Sequence, residues 1–397
     1  MNNFFDAIGI ADMEKVHSAV IGWMLSCNCS AFNITTKSEL LQNIFQVKKD
    51  DRVEKFDSIE VYIEWRNIDI LILTKNKCWV IENKIKSSQH SDQLNRYAKI
   101  LNCQKLMSPT QFQKYLDDQD GFPINSLKLK DNPYVSYEKA YCFLTLIDEP
   151  PIIDKDGVEW KNIHYSQLSG FVEDALSKAK KDHKDYIIIN EYLECIKGLS
   201  SALNEFIKNP GKYPNVFEDG RKRKEDKEDK EDETQQYICT NGLETIFQKC
   251  FLSSLIHKTN FSKLISKPNR FKISETHGTA HVDFTYPPIQ SVTFQIQFQD
   301  GTFKIQIIGN DANNAKFFLE SWKRVLNTYL SNDPSWSINK SKREKKAYIS
   351  ISKYYFNTNE WFTSAPDTLK DIWNRAYDDC TKKIEDLKKF LTDEKPL

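Results

Sequence analysis

A chain of 397 residues is long enough for two ordinary domains, and its 40% hydrophobic and 28% charged content excludes both a disordered and a membrane-embedded class. With 56 basic against 56 acidic residues the formal charge is zero, so no global positive field draws nucleic acid in, and any such binding must be local. Nine scattered cysteines suit a reducing compartment, and no apolar stretch reaches the roughly 18 residues of a membrane span, so the expected location is the cytoplasm with no membrane partner.

In chain order, the first predicted element is a helix over Ala11 to Ser26, where Val16, Val20, Trp23 and Met24 recur at helical spacing. Three short β-branched runs follow as predicted strands, Asp57 to Trp65, Ile68 to Thr74 and Cys78 to Ile85. A helix is predicted from Ser88 to Cys103, then an irregular insertion holding Pro109, Gly121, Pro123 and Pro133. AYCFLTLI, Ala140 to Ile147, reads as a buried strand, and a short strand at Ile163 to Tyr165 and two helices complete the domain. A strand, helix and strand in series imply a parallel crossover and a mixed sheet with helices on its faces.

The segment Arg221 to Gln236 has no apolar residue and cannot contribute to a core. The boundaries expected from it are residues 1–218, a charged linker 219–236, and a second α+β domain 237–397 for recognition, dimerisation or regulation. That second half opens with an amphipathic helix bearing Leu243, Ile246, Phe247, Cys250 and Phe251. Two alternating strands flank Asp300-Gly301, a favoured two-residue hairpin turn. A helix from Ala312 to Leu330, a strand near Ala347 to Ser352 and a long closing helix follow.

Two acids stand where a strand favours apolar residues, Asp69 in IDILIL and Glu82 in CWVIENKI. If Lys75-Asn76 forms a two-residue loop, Thr74 faces Lys77 and Asp69 lies directly opposite Glu82 on one face, where two carboxylates repel. A cation between them relieves that repulsion, and Mg²⁺ suits a pair of hard oxygen donors. Lys84 shares the face by the two-residue period of a strand. Together these serve phosphodiester hydrolysis, in which a metal activates water and a lysine stabilises charge in the transition state. Shifting the loop to Asn76-Lys77 instead pairs Asp69 with Lys84, an ordinary cross-strand ion pair, and the residues alone leave both registers open.

Asp69 with Ile81-Glu82-Asn83-Lys84 resembles the PD-(D/E)XK nuclease superfamily, although Ile68 stands where the proline of the name would be. The likeness extends to an EXXHS helix, here Glu14 to Ser18, a QLXXY helix, here Gln93 to Tyr97, and later FLTL and HYSQL segments, over about residues 10 to 207. It implies an α/β, restriction-endonuclease-like αβββαβ core. It further implies Asp69, Glu82, Lys84 and Gln93 as catalytic residues, and a metal, Mg²⁺ or Mn²⁺, held by Asp69, Glu82, Glu14 and the backbone carbonyl of Asn83. The expected activity is an endonuclease acting on DNA, in defence against phage or mobile elements, with a homodimer or a defence-system protein as further partner. The rivals are a catalytically inactive nuclease-fold interaction protein and an RNA-directed nuclease.

Each residue also has a plainer reading. Glu14 is an early-helix acid favoured by the helix dipole, and His17 a satisfied histidine. In the second half, Lys340, Lys342, Arg343, Lys345 and Lys346 form the densest basic run, either a solvated loop or a nucleic-acid contact. His277 and His281 sit in a strand-like context that does not give a zinc pair, and Cys27-Asn28-Cys29 lacks the spacing of a metal knuckle.

Overall fold

The computed structural model of the protein describes residues 3–86, 93–117, 129–147, 151, 157–218, 232–265, 271–289, 292–309, 315–331, 333–339, 348–356 and 361–393. They form two compact units, Met1–Leu203 with Thr240–Gly242, and Asn204–Cys239 with Leu243–Leu397. Among the described residues no helix is long and apolar enough to cross a membrane.

The first unit opens with a short helix α1 (Phe4–Ala7), then α2 (Glu14–Leu25) and α3 (Ile34–Ile44). Strands β1 (Glu60–Trp65), β2 (Ile68–Thr74) and β3 (Lys77–Lys84) make an antiparallel meander. Helices α4 (Gln93–Asn102) and α5 (Pro109–Asp117) follow, after which β4 (Glu138–Thr145) and β5 (Lys161–His164) extend the sheet in parallel. Helices α6 (Tyr165–Ser177) and α7 (Lys184–Lys208) complete the series. The sheet order β1-β2-β3-β4-β5 is the mixed arrangement expected from a strand–helix–strand return after three meandering strands.

Helices cover both faces of this sheet. α2 packs on β1, β2 and β3, while Leu94, Tyr97, Ala98 and Leu101 of α4 meet Val80, Tyr141 and Phe143 from the other side. The two coverings leave β2 and β3 almost wholly buried, which is why they read as near-continuous apolar runs.

Besides the one-turn α1, two helices of this unit were not expected from the sequence. α3 starts at Asn33, whose side chain accepts from the Thr36 amide at 2.9 Å, and it buries Leu40, Leu41 and Ile44. α5 lies where an irregular insertion was expected. Ser108 and Gln111 cap it reciprocally, at 3.2 Å and 2.8 Å, with Pro109 at its first position, so the local signal was present in Ser-Pro-Thr-Gln.

The second unit carries α8 (Glu233–Thr240), of which Thr240 groups with the first, α9 (Glu244–His257) and the short α10 (Ser262–Ile265). A six-stranded antiparallel sheet follows, in the order β10-β11-β9-β8-β7-β6. Its strands are β6 (Phe271–Thr276), β7 (Thr279–Thr285), β8 (Val292–Gln299), β9 (Thr302–Gly309), β10 (Ser337–Asn339) and β11 (Tyr348–Tyr354). Helix α11 (Ala315–Leu330) precedes β10, and α12 (Pro366–Asp393) closes the chain. Asp300 and Gly301, at φ 48° and 73°, make the expected two-residue turn, with Gln299 paired to Thr302.

β6 and β7 supply the strand-like context expected around His277 and His281. His277 falls in their turn and His281 on β7, beside Asp283 at 3.6 Å. The expected break at residue 218 falls inside an aromatic cluster, because Phe206, Tyr213 and Phe217 pack with Phe247 and Phe251, and the second unit therefore begins at Asn204. Most of the expected linker, and the basic run from Lys340 to Lys346, lie outside the described residues.

Candidate active site

Thr74 pairs with Lys77 across the Lys75-Asn76 loop, and the ladder runs inward as far as Ile70 opposite Ile81. One step further that register sets Asp69 opposite Glu82, not opposite Lys84. There the backbone pairing gives way to a side chain, since the Asn83 amide donates to Asp69 Oδ2 at 2.8 Å.

Glu82 is fully buried. Its Oε1 accepts from Gln93 Nε2 at 2.6 Å and from Lys84 Nζ at 2.7 Å, while Oε2 has no hydrogen-bond partner. Burial pushes its pKa from an ordinary 4.5 up to about 8, and the Asp69 charge pushes the same way against the pull of Lys84. Asp69 is raised too, first by burial, with the Asn83 amide and Lys84 opposing. Lys84 is the counter-case. Burial alone would lower it, but Glu82, Glu14 and Asp69 hold it above its usual value and therefore charged.

Gln93 starts the described part of α4 and links the centre to its surroundings. The same Nε2 donates to Tyr97 Oη at 2.6 Å, and Tyr97 donates onward to the Asn67 carbonyl at 2.5 Å, in the turn between β1 and β2. Tyr97 is thus core by its ring and part of the site by its hydroxyl, since Glu82 lies close enough to raise its pKa after burial itself.

Glu14 arrives from the start of α2. Its Oε1 accepts from the amides of Ile85 and Lys86, both at 2.9 Å, and its Oε2 lies 4.0 Å from Lys84 Nζ. The side chain therefore fastens the end of β3 and faces the lysine. Asn83 points the other way. Its Nδ2 donates to the Glu14 carbonyl and to Ser18 Oγ, and its Oδ1 accepts from Tyr165 Oη at 2.7 Å. The Lys84 carbonyl accepts from Leu146 on the β4 side, so by strand alternation the Asn83 carbonyl faces the β2 side, as its own amide does toward Asp69.

The histidine of α2 is structural. His17 Nε2 donates to the Ala11 carbonyl at 2.8 Å and Nδ1 accepts from Tyr192 Oη at 3.1 Å, and burial lowers its pKa to about 4. Two residues near the centre were not singled out in the sequence. Tyr165 lies in the HYSQL segment and holds Asn83. Glu64 lies opposite Asp69, as the β1–β2 register requires, at φ 56° and 3.3 Å from Lys15. Counting back from the Arg66-Asn67 turn would have placed it there.

A divalent cation fits this donor set. Two desolvated carboxylates press on one another, and one of them keeps an unpartnered buried oxygen. Among the described residues no group of three or more His, Cys, Asp and Glu side chains forms a ready cage.

A family model, that of the PD-(D/E)XK nuclease superfamily, matches residues 2–194. No curated protein and no solved structure matches the chain. The matched segment spans the meander, the α4 crossover and the parallel strands that bring Asp69, Glu82 and Lys84 together. Residues 2–194 of this chain belong to the PD-(D/E)XK nuclease superfamily.

Proposed function

We propose that the chain is a metal-dependent endonuclease that hydrolyses DNA, with a role in defence against phage or mobile elements in a reducing, cytoplasmic setting. The observation that carries the hydrolytic reading is Glu82. A carboxylate held fully buried, with one oxygen bound by Gln93 and Lys84 and the other left open beside Asp69, is costly for the fold unless a cation completes it. Defence and DNA rest on family association rather than on a residue.

Asp69, Glu82 and the Asn83 carbonyl would hold the ion, Mg²⁺ or Mn²⁺. When bound, it supplies Lewis-acid neutralisation of phosphate charge and lowers the pKa of water. Lys84 keeps its proton in this environment and places an ammonium where charge develops on the transferring phosphate. Gln93 fixes Glu82 Oε1 and so sets which oxygen remains open. Glu14 positions Lys84 and the end of β3 through the Ile85 and Lys86 amides. We assign residues 237–397 an accessory role in substrate engagement.

The test is incubation of the purified chain with duplex DNA and with RNA, with and without Mg²⁺ or Mn²⁺, beside Asp69→Ala. Divalent-dependent cleavage of DNA that disappears in the variant is expected. Cleavage of RNA alone would move the substrate assignment, and cleavage that survives in Asp69→Ala would refute the site.

A further inference from the structure

The β1–β2 turn carries a cation that forms no ion pair among the described residues. Arg66 and Asn67 stand between the paired residues Trp65 and Ile68, at φ 52° and 66°, in a turn of the kind that favours asparagine or glycine at both positions. An arginine there is held against its backbone preference, at a cost on the order of 1 kcal/mol. Its guanidinium carbon lies 5.3 Å from the centre of the Trp65 ring, and its Nε is buried without a hydrogen-bond partner. The neighbouring lysines differ, since Lys15 is paired with Glu64 and Lys86 with Asp12. Among the described residues no carboxylate forms an ion pair with Arg66.

The turn is also tied to the catalytic centre. The Asn67 carbonyl accepts from Tyr97, which accepts from Gln93, which donates to Glu82. Asp69 lies three residues beyond Arg66, at the start of β2. A half-buried guanidinium with open donors, on a turn whose Asn67 carbonyl is tied through three hydrogen bonds to the proposed phosphodiester-cleaving centre, matches a phosphate oxygen in geometry and charge. We infer that Arg66 holds a backbone phosphate of the nucleic acid beside Asp69 and so positions the scissile bond. The inference rests on the nuclease reading above and names the group that engages its substrate.

The experiment measures binding of mixed-sequence duplex DNA to the full chain without divalent ion, across a range of salt concentrations, and cleavage once Mg²⁺ is added. Arg66→Ala should weaken binding about tenfold and lower the slope of log affinity against log salt by about one, the signature of one lost phosphate contact. Arg66→Lys keeps the charge but not the planar fork, so it should keep the slope and lose a few-fold in affinity. It decides the matter should the alanine variant fail to fold. Arg96→Ala is the control, an equal loss of charge on α4 with its guanidinium carbon 5.9 Å from the Tyr97 ring, and it should cost less than threefold. A merely structural role for Arg66 would shift the melting temperature and leave the salt slope alone. Wild-type cleavage with an unchanged slope in Arg66→Ala, an undiminished affinity in Arg66→Lys, or an equal loss in Arg96→Ala overturns the assignment and leaves the nuclease reading standing. A wild type that neither binds nor cleaves DNA overturns both.

Discussion

Replacing Glu82 by glutamine should make the metal-free protein more stable while removing its activity. The carboxyl has a folded pKa of about 8 against an ordinary 4.5, so between those values the folded chain holds a proton that the unfolded chain releases. Stability is therefore greatest below pH 4.5 and falls as pH rises through that window, the reverse of an ordinary salt-bridged acid. At pH 7 the interval above 4.5 is roughly 2.5 units, and at about 1.4 kcal/mol per unit the ionisable group costs on the order of 3 kcal/mol. Glutamine cannot ionise, so Glu82→Gln should gain about that amount at pH 7 in a chelator, or several degrees in the first thermal transition. At pH 5 the gain should shrink to roughly 0.8 kcal/mol. The assay is thermal or urea unfolding of both proteins at the two pH values, followed by titration with Mg²⁺, which should stabilise the wild type alone. A glutamine variant less stable than the wild type at pH 7, or a difference that does not change with pH, would refute the reasoning.

Lys84→Ala should lose at least about a hundredfold in single-turnover cleavage yet keep divalent-ion affinity within a few-fold of wild type, read by calorimetry, since its ammonium serves the transition state. His17 carries the opposite pH signature to Glu82. Its folded pKa of about 4 lies below the ordinary 6.5, so the stability it contributes is present above pH 6.5 and is lost as pH falls toward 4, by up to about 3 kcal/mol, and His17→Gln should flatten the acid limb of a pH–melting curve. Replacing Lys342, Arg343, Lys345 and Lys346 by alanine should weaken DNA binding uniformly across sequences and flatten its salt dependence, with the single-turnover rate at saturating DNA changed less than about threefold. An unaltered slope would leave dimerisation or partner binding as the better account of residues 237–397.

The face carrying Asp69, Glu82 and Lys84 was legible because a strand's period is short and its turn was visible. Once Lys75-Asn76 is a two-residue loop, the pairing of Asp69 with Glu82 and the position of Lys84 follow by counting, and the observed Thr74–Lys77 pair selects that register over the alternative. The same counting from Arg66-Asn67 reaches Glu64, but Arg-Asn is not a sequence that announces a turn requiring positive φ at both residues. What Glu14 and Asn83 do was hidden for another reason. Their partners are the Ile85 and Lys86 amides and the Tyr165 hydroxyl, distant in sequence and invisible to any local pattern. α3 and α5 were missed although Asn33 and Ser108 carry ordinary capping chemistry, because the apolar spacing between caps was weighed and the caps were not.

The end of β3 is fastened by groups made at very different times during synthesis. Glu14 precedes the Ile85 and Lys86 amides by 71 and 72 residues, and Tyr165 follows Asn83 by 82. A growing chain that has just extended past Lys84 holds every acid and lysine of the motif, yet it lacks β4, β5 and the tyrosine against which Asn83 is clamped. The centre can become rigid only after residue 165 has left the ribosome, when most of the first unit is already available to fold.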